Sequence, residues 1–138
     1  MIILYRPEDG GDEQQYDMRT VRTSEAQIIE RTTDMQWGQI KLGVRDDNPT
    51  ALRGVVWVLM KRGNPSLRWG DFDPPVDSLT SRFDEREVAL YAADIVKLPE
   101  EQRPQAVAEL RVYAANPDSV DIALKEASEP PKEGETSD

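Results

Sequence analysis

The strongest hydrophobic pattern in the chain lies between Asn48 and Pro65. Apolar residues recur there at intervals of three and four, which places them along one side of an α-helix: Leu52, Val55, Val56, Leu59 and Met60. Trp57 and Val58 extend this surface, so the segment VVWVLM is apolar around most of the helix. We predict that seven residues form the structural core: Trp37, Leu52, Val55, Val56, Trp57, Leu59 and Met60.

Both ends of this helix carry signals. Asn48 can cap the free N–H groups of the first turn, and Pro49 at the first helical position loses no helix hydrogen bond. Gly63 and Pro65 end the segment. The apolar surface of such a helix must be buried from water, either by the rest of its own domain or by a partner protein. We favour its own domain with some apolar surface left over, since Gly54 indicates a close neighbouring backbone.

The N-terminal residues, up to about residue 22, show the period of two that is typical of strands. Ile2 to Tyr5 is rich in β-formers, Asp9-Gly10-Gly11-Asp12 carries turn residues, and three residues beyond it alternate with polar ones: Tyr16, Met18 and Thr20. This pattern predicts a β-hairpin.

Four further helices are indicated. Ser24 with Gln27, and Thr33 with Gln36, have the spacing of capping boxes. The second of these is followed by apolar residues on one side: Trp37, Ile40 and Val44. Asp84 with Glu87 has the same spacing and precedes another stripe: Val88, Tyr91, Ala92, Ile95 and Val96. In the next predicted helix, three residues are expected to face the core: Val107, Leu110 and Ala114.

A weaker helix begins at Asp118, whereas the stretch from Ser66 to Phe83 is rich in loop residues, with Trp69, Phe72 and Phe83 as anchors. Residues 128–138 lack any large apolar side chain. The fold class predicted is mainly α: one small helical domain over 1–127, with an N-terminal β-hairpin and a disordered acidic C-terminal tail over 128–138.

Composition narrows the function classes. The formal net charge is −10, which disfavours sequence-independent binding to nucleic acid and to anionic membrane surfaces. The chain has no cysteine and no histidine, so disulfides, thiol nucleophiles and histidine bases are excluded. No apolar run approaches the length of a membrane span, and the N-terminus lacks the basic start of a signal peptide. We expect no contact with membrane and a cytoplasmic location.

The acidic segment GDFDPPVD places Asp71, Asp73 and Asp77 close together. Oxygen ligands at alternating positions suit a hard cation, but two prolines interrupt the geometry of a calcium loop. We favour a solvated turn. Nothing in the sequence points to a cleft that would shift the pKa of a catalytic carboxylate. We therefore expect no catalytic residue, no cofactor and no metal, and not an enzyme.

The order of these segments resembles a known family. Ile29-Glu30, then Met35-Gln36-Trp37, and then Asn48-Pro49 with its apolar helix and Lys61-Arg62 are similar to the small tail assembly chaperones of long-tailed phages that infect Gram-positive, actinobacterial-type hosts. The likeness covers roughly residues 16–73. Asp34 occupies a position where that family usually has glycine.

The resemblance implies a non-enzymatic late protein of virion assembly. Such chaperones bind the tape-measure protein, keep it soluble and help tail-tube protein to polymerise around it, and a homo-oligomer is compatible with this role. The location implied is the host cytoplasm, with absence from the mature virion. We hypothesise that a groove between two later helices binds the partner, through five residues: Val88, Tyr91, Ile95, Val107 and Leu110.

Two other functions stay open. A structural virion protein, such as a head–tail connector or tail-completion subunit, would also be small and non-catalytic, but it would remain in the particle. A small hydrolase that uses carboxylates would need a bound metal or a deep polar pocket.

Overall fold

The computed structural model describes residues 1–129. Within them the chain is mainly helical, as predicted, with six α-helices and a small three-stranded sheet near the N-terminus. By its internal contacts the chain divides into two compact units, Met1–Arg82 (unit 1) and Phe83–Asp138 (unit 2). The expectation of one domain over 1–127 stays a prediction. The predicted disordered tail lies outside the described residues from 130 onward, and Ser128 ends the last helix.

The sheet of unit 1 has the order β2-β1-β3, with both pairs antiparallel. Its strands are β1 Ile2–Tyr5, β2 Gln14–Asp17 and β3 Leu79–Arg82. The β1–β2 pair is the predicted hairpin, and Gly10 supplies the positive φ of 81° in its turn. The second strand ends earlier than the alternation indicated, because the Asp17 carboxylate accepts from the Arg19 N–H and opens a 3-10 turn over Met18–Thr20.

The loop predicted for this part of the chain is wrong at Leu79–Arg82, where β3 forms. It pairs with β1, so that Ile3 lies opposite Ser81. Asp47 also holds it: its Oδ1 accepts from the Ser81 backbone N–H at 2.8 Å and from the Ser81 hydroxyl at 2.7 Å. These partners are remote in sequence, so no local pattern indicates the strand.

Three helices follow the hairpin in unit 1: α1 Thr23–Thr33, α2 Trp37–Arg45 and α3 Pro49–Met60. The predicted cap at Ser24 is wrong, because α1 begins one residue before it and the Glu25 carboxylate accepts from the Arg22 N–H at 2.8 Å. The predicted cap at Thr33 is wrong too. Thr33 is the last residue of α1, and Gln39 accepts instead from the Gln36 N–H at 2.8 Å.

Helix α3 begins as predicted, with Asn48 Oδ1 accepting from the Ala51 N–H at 3.1 Å. It packs against α1, α2, β1 and β3. The apolar segment VVWVLM is therefore buried by other elements of its own unit. A Cβ added at Gly54 would lie 2.9 Å from Ile29 Cγ2, so the glycine permits the close approach of α1. The buried residues of the predicted core are Leu52, Val55, Val56, Trp57 and Leu59, whereas Trp37 and Met60 are half-buried.

The loop after α3 is tied back to that helix. Arg53 donates from Nε to the Phe72 carbonyl at 2.6 Å and from Nη2 to the Trp69 carbonyl at 2.7 Å. Its guanidinium carbon also lies 3.8 Å from the centre of the Trp69 ring. Phe72 is buried and Trp69 half-buried, so both act as anchors of this loop on the core.

The described residues of unit 2 form three α-helices: α4 Glu85–Ile95, α5 Arg103–Tyr113 and α6 Asp118–Ser128. The predicted capping box of α4 is confirmed, since Asp84 Oδ1 accepts from the Glu87 N–H at 2.9 Å and Glu87 Oε1 accepts from the Asp84 N–H at 3.0 Å. The core of this unit is formed by Val88, Ala92, Ile95, Leu110, Ala114, Val120 and Ala123.

Candidate functional site

A groove lies between α4 and α5 of unit 2 and encloses about 290 Å³. Most of its lining is apolar or aromatic: Phe83, Tyr91, Ile95, Ala106, Leu110 and Tyr113. Ile95 and Leu110 are buried and form the floor, while Tyr91 and Tyr113 are 48% and 53% exposed. We call this feature the aromatic groove.

The backbone around Phe83 positions the groove. Phe83 donates its N–H to the Tyr113 carbonyl at 2.7 Å and accepts from the Ala115 N–H at 2.9 Å, which makes a parallel bridge with Ala114. The capping box of α4 starts at the next residue, Asp84. The start of α4 and the end of α5 are therefore held together at one end of the groove.

Three aromatic rings meet at this end. The rings of Phe83 and Tyr91 are stacked, with centroids 4.7 Å apart and planes at 29°. The rings of Phe83 and Tyr113 are tilted at 54°, with centroids 6.3 Å apart. Half-exposed tyrosines combine apolar contact area with a polar hydroxyl, and they carry little conformational entropy to lose on binding.

The charge around the groove is negative. Glu109 of α5 lines it, and Asp94 lies on the same side of α4 as Tyr91, three residues further along the helix. In the part of the chain that the structure describes, neither carboxylate forms an ion pair with a basic side chain. Glu109 accepts only a long hydrogen bond of 3.4 Å from the Gln105 amide.

The five residues hypothesised to bind a partner are placed differently from one another. The groove brings together Tyr91, Ile95 and Leu110. Val88 is fully buried in the core of unit 2, so it supports the groove and has no free surface. Val107 is half-buried and faces another, more open depression, which it shares with Arg103 and Arg111.

Four residues that line the groove are not among the five hypothesised to bind a partner: Phe83, Ala106, Glu109 and Tyr113. A signal existed for three of them, since Ala106, Glu109 and Tyr113 recur with Leu110 at intervals of three and four along α5. Phe83 is brought to the groove by its β-bridge to Ala114, and no helical pattern in the sequence indicates that contact.

In the acidic loop, one carboxylate is paired with a neighbouring basic side chain. The Asp71 carboxylate accepts from the Arg68 N–H at 3.0 Å and lies 3.6 Å from Arg68 Nε. Among residues 1–129 no group of three or more Asp or Glu side chains is arranged to hold a metal ion. In the same residues no helix is both long enough and apolar enough to cross a bilayer.

A comparison of the chain with protein-family models, curated proteins and solved structures finds no match.

Proposed function

We propose that this protein is a non-enzymatic tail assembly chaperone of a long-tailed phage. In this role it binds the tape-measure protein, keeps that chain soluble in the host cytoplasm and promotes assembly of the tail-tube protein around it. The observation that carries the proposal is the aromatic groove of unit 2, which supplements the segment resemblance of residues 16–73.

The groove has an apolar floor and an aromatic rim, which suit the anchoring side chains of a helix. Amphipathic helices lay their apolar face into grooves between helices, where a few anchoring side chains provide most of the binding energy. Here Ile95 and Leu110 form an apolar floor, and Tyr91 and Tyr113 stand at the rim. A long helix-rich partner with apolar stripes would present suitable segments.

The overall charge supports the same role. A net charge of −10 on 138 residues keeps complexes apart by like-charge repulsion, which suits a protein that must hold an aggregation-prone chain in solution. The core of unit 1, with VVWVLM enclosed by its own unit, would then serve as scaffold.

The test is co-expression with the tape-measure candidate of the same gene cluster. We expect the soluble fraction of that long chain to rise and the two proteins to elute together. Tyr113→Ser should reduce this co-purification, whereas Val112→Ser should not, because the neighbouring Val112 is 64% exposed but lies outside the groove.

A tape-measure chain that stays insoluble beside the wild-type protein would contradict the proposal. Purified particles should then be searched for this protein by mass spectrometry. Its presence there at fixed stoichiometry would favour the structural virion protein, that is, a connector or tail-completion subunit.

A further inference from the structure

The acidic residues of this chain are unevenly distributed between its two units. Unit 1 has 13 acidic and 11 basic residues, a net charge of −2, whereas residues 83–138 have 14 acidic and 6 basic residues, a net charge of −8. The aromatic groove lies in the strongly acidic part. A partner segment that approaches it meets a negative field, which accelerates the association of cations and opposes that of anions.

Both helices that form the groove carry an acidic residue near it. Glu109 lines the wall formed by α5, and Asp94 lies on the Tyr91 side of α4. Because no basic side chain of residues 1–129 pairs with either carboxylate, both can accept from a Lys or Arg of a partner. The half-exposed rings of Tyr91 and Tyr113 can also receive a cation on their faces.

The size of the groove limits what can occupy it. Its volume of about 290 Å³ is just below the range for small-molecule pockets, about 300–1,000 Å³. This volume suits one or two apolar side chains of a docked segment. An extended cofactor would need more room.

From these observations we propose that the aromatic groove binds an amphipathic helical segment that has Lys or Arg beside its apolar anchor. This inference rests on the proposed function, since it names the chemistry of the partner segment that the chaperone would recognise. The anchor lies on Ile95 and Leu110 between the two tyrosines, and the flanking cations contact Glu109 and Asp94.

Two synthetic helical peptides of about 20 residues provide the probe. They share one stripe of Leu and Phe, and they differ only in carrying Lys or Glu at the flanking positions. Fluorescence anisotropy with the full chain should show tighter binding of the Lys peptide, by about tenfold or more at low salt, and a smaller difference at high salt.

Charge reversal at the groove separates a local effect from a general one. Glu109→Lys should weaken binding of the Lys peptide by about tenfold, while Glu101→Lys, which changes the net charge equally at an exposed position outside the groove, should leave it close to wild type. Both substitutions are on exposed residues, and circular dichroism verifies that each variant is folded. Equal binding of the two peptides, or an equal loss in both variants, would overturn the inference.

Three further results separate this inference from the proposed function. If the tape-measure chain co-purifies equally with the wild type and with Glu109→Lys, the chaperone role stands and the inference that the groove recognises a cation is overturned. If it fails to co-purify with the wild type while the Lys peptide still binds, the inference on the groove stands without that partner. A homo-oligomer that Tyr113→Ser converts to monomer would identify a second copy as the occupant and would overturn the inference.

Discussion

The ring of Phe83 stacks on the ring of Tyr91, with centroids 4.7 Å apart and planes at 29°. This pair joins Phe83, two residues before the start of α4, to the middle of that helix, and it forms one wall of the aromatic groove. The stacking and the binding surface therefore depend on the same side chain, Tyr91.

Replacing Tyr91 by alanine should lower the free energy of unfolding by about 1 kcal/mol, because the stacked contact with Phe83 is lost. Tyr91→Phe keeps the ring and should stay close to wild type. Urea unfolding followed by circular dichroism measures both variants. Leu90→Ala is the matched control, since Leu90 is a 65% exposed neighbour on the same helix, and a loss there as large as that of Tyr91→Ala would contradict the stacking argument.

The second prediction concerns the contact between α1 and α3. A Cβ at position 54 would lie 2.9 Å from Ile29 Cγ2, on a fully buried side chain. Gly54→Ala should lower the free energy of unfolding by about 1–3 kcal/mol, because overpacking outweighs the better helix propensity of alanine, about 1 kcal/mol. Tryptophan fluorescence during urea unfolding measures the effect in unit 1, where Trp57 lies on the same helix.

Gly38 of α2 provides the control for this substitution. A Cβ there has no neighbouring atom within 4 Å, so Gly38→Ala should be neutral or should stabilise the protein by up to about 1 kcal/mol. If both alanine variants changed stability in the same direction and by the same amount, close packing at Gly54 would not be the reason for that glycine.

How far the sequence predicts this fold depends on whether the determinants are local. Helix α3 was predicted well because Asn48, Pro49 and the apolar stripe all lie within one segment. Strand β3 was not predicted, because its partners are remote in sequence. It pairs with β1, and its Ser81 N–H donates to the Asp47 carboxylate. The early end of β2 depends on one side chain, Asp17, whose carboxylate competes with the strand for a backbone N–H.

The candidate site likewise combines residues that a local pattern predicts with residues that depend on contacts remote in sequence. The stripes of α4 and α5 indicated Tyr91, Ile95 and Leu110, and the structure brings these three together. The stripes could not distinguish a buried member such as Val88 from an exposed one. Phe83 was placed by tertiary hydrogen bonds to Tyr113 and Ala115, which a helical period does not encode.

The third prediction is a dependence of stability on pH. Arg62 donates from Nε to Glu25 Oε2 at 2.8 Å and from Nη2 to Oε1 at 2.7 Å. The hydrogen bonds from Arg62 lower the pKa of the Glu25 carboxyl below its ordinary value of 4.5 in spite of partial burial, and the Arg22 N–H adds to this. A lowered folded-state pKa means that the stabilisation is complete above the ordinary value and is lost as the pH falls through the folded-state value.

Glu25→Gln should therefore lower the free energy of unfolding by about 1 kcal/mol at neutral pH. The difference from wild type should shrink as the pH falls below 4.5. Urea unfolding at several pH values measures it. Glu13→Gln serves as control, because the Arg6–Glu13 pair is more exposed and should contribute less than about 0.5 kcal/mol. A Glu25→Gln difference that is constant with pH would contradict the ion-pair argument.

The last prediction concerns Asp34, which ends α1 with a φ of 57° and a ψ of 30° and donates its N–H to the Glu30 carbonyl at 2.9 Å. This is the left-handed region, which costs a residue with a Cβ about 1–2 kcal/mol and glycine almost nothing, although Asp tolerates it better than most. Asp34→Gly should therefore raise the free energy of unfolding by about 1 kcal/mol, measured by urea unfolding with tryptophan fluorescence.

Asp46 ends α2 with a φ of −93°, so Asp46→Gly gains nothing from conformation and should lower stability by about 0.5–1 kcal/mol through the greater entropy of the unfolded chain. Opposite signs for the two glycine variants would show that the left-handed conformation of Asp34 costs stability that glycine restores, whereas equal losses would show that the Asp34 side chain contributes more than its backbone strain costs.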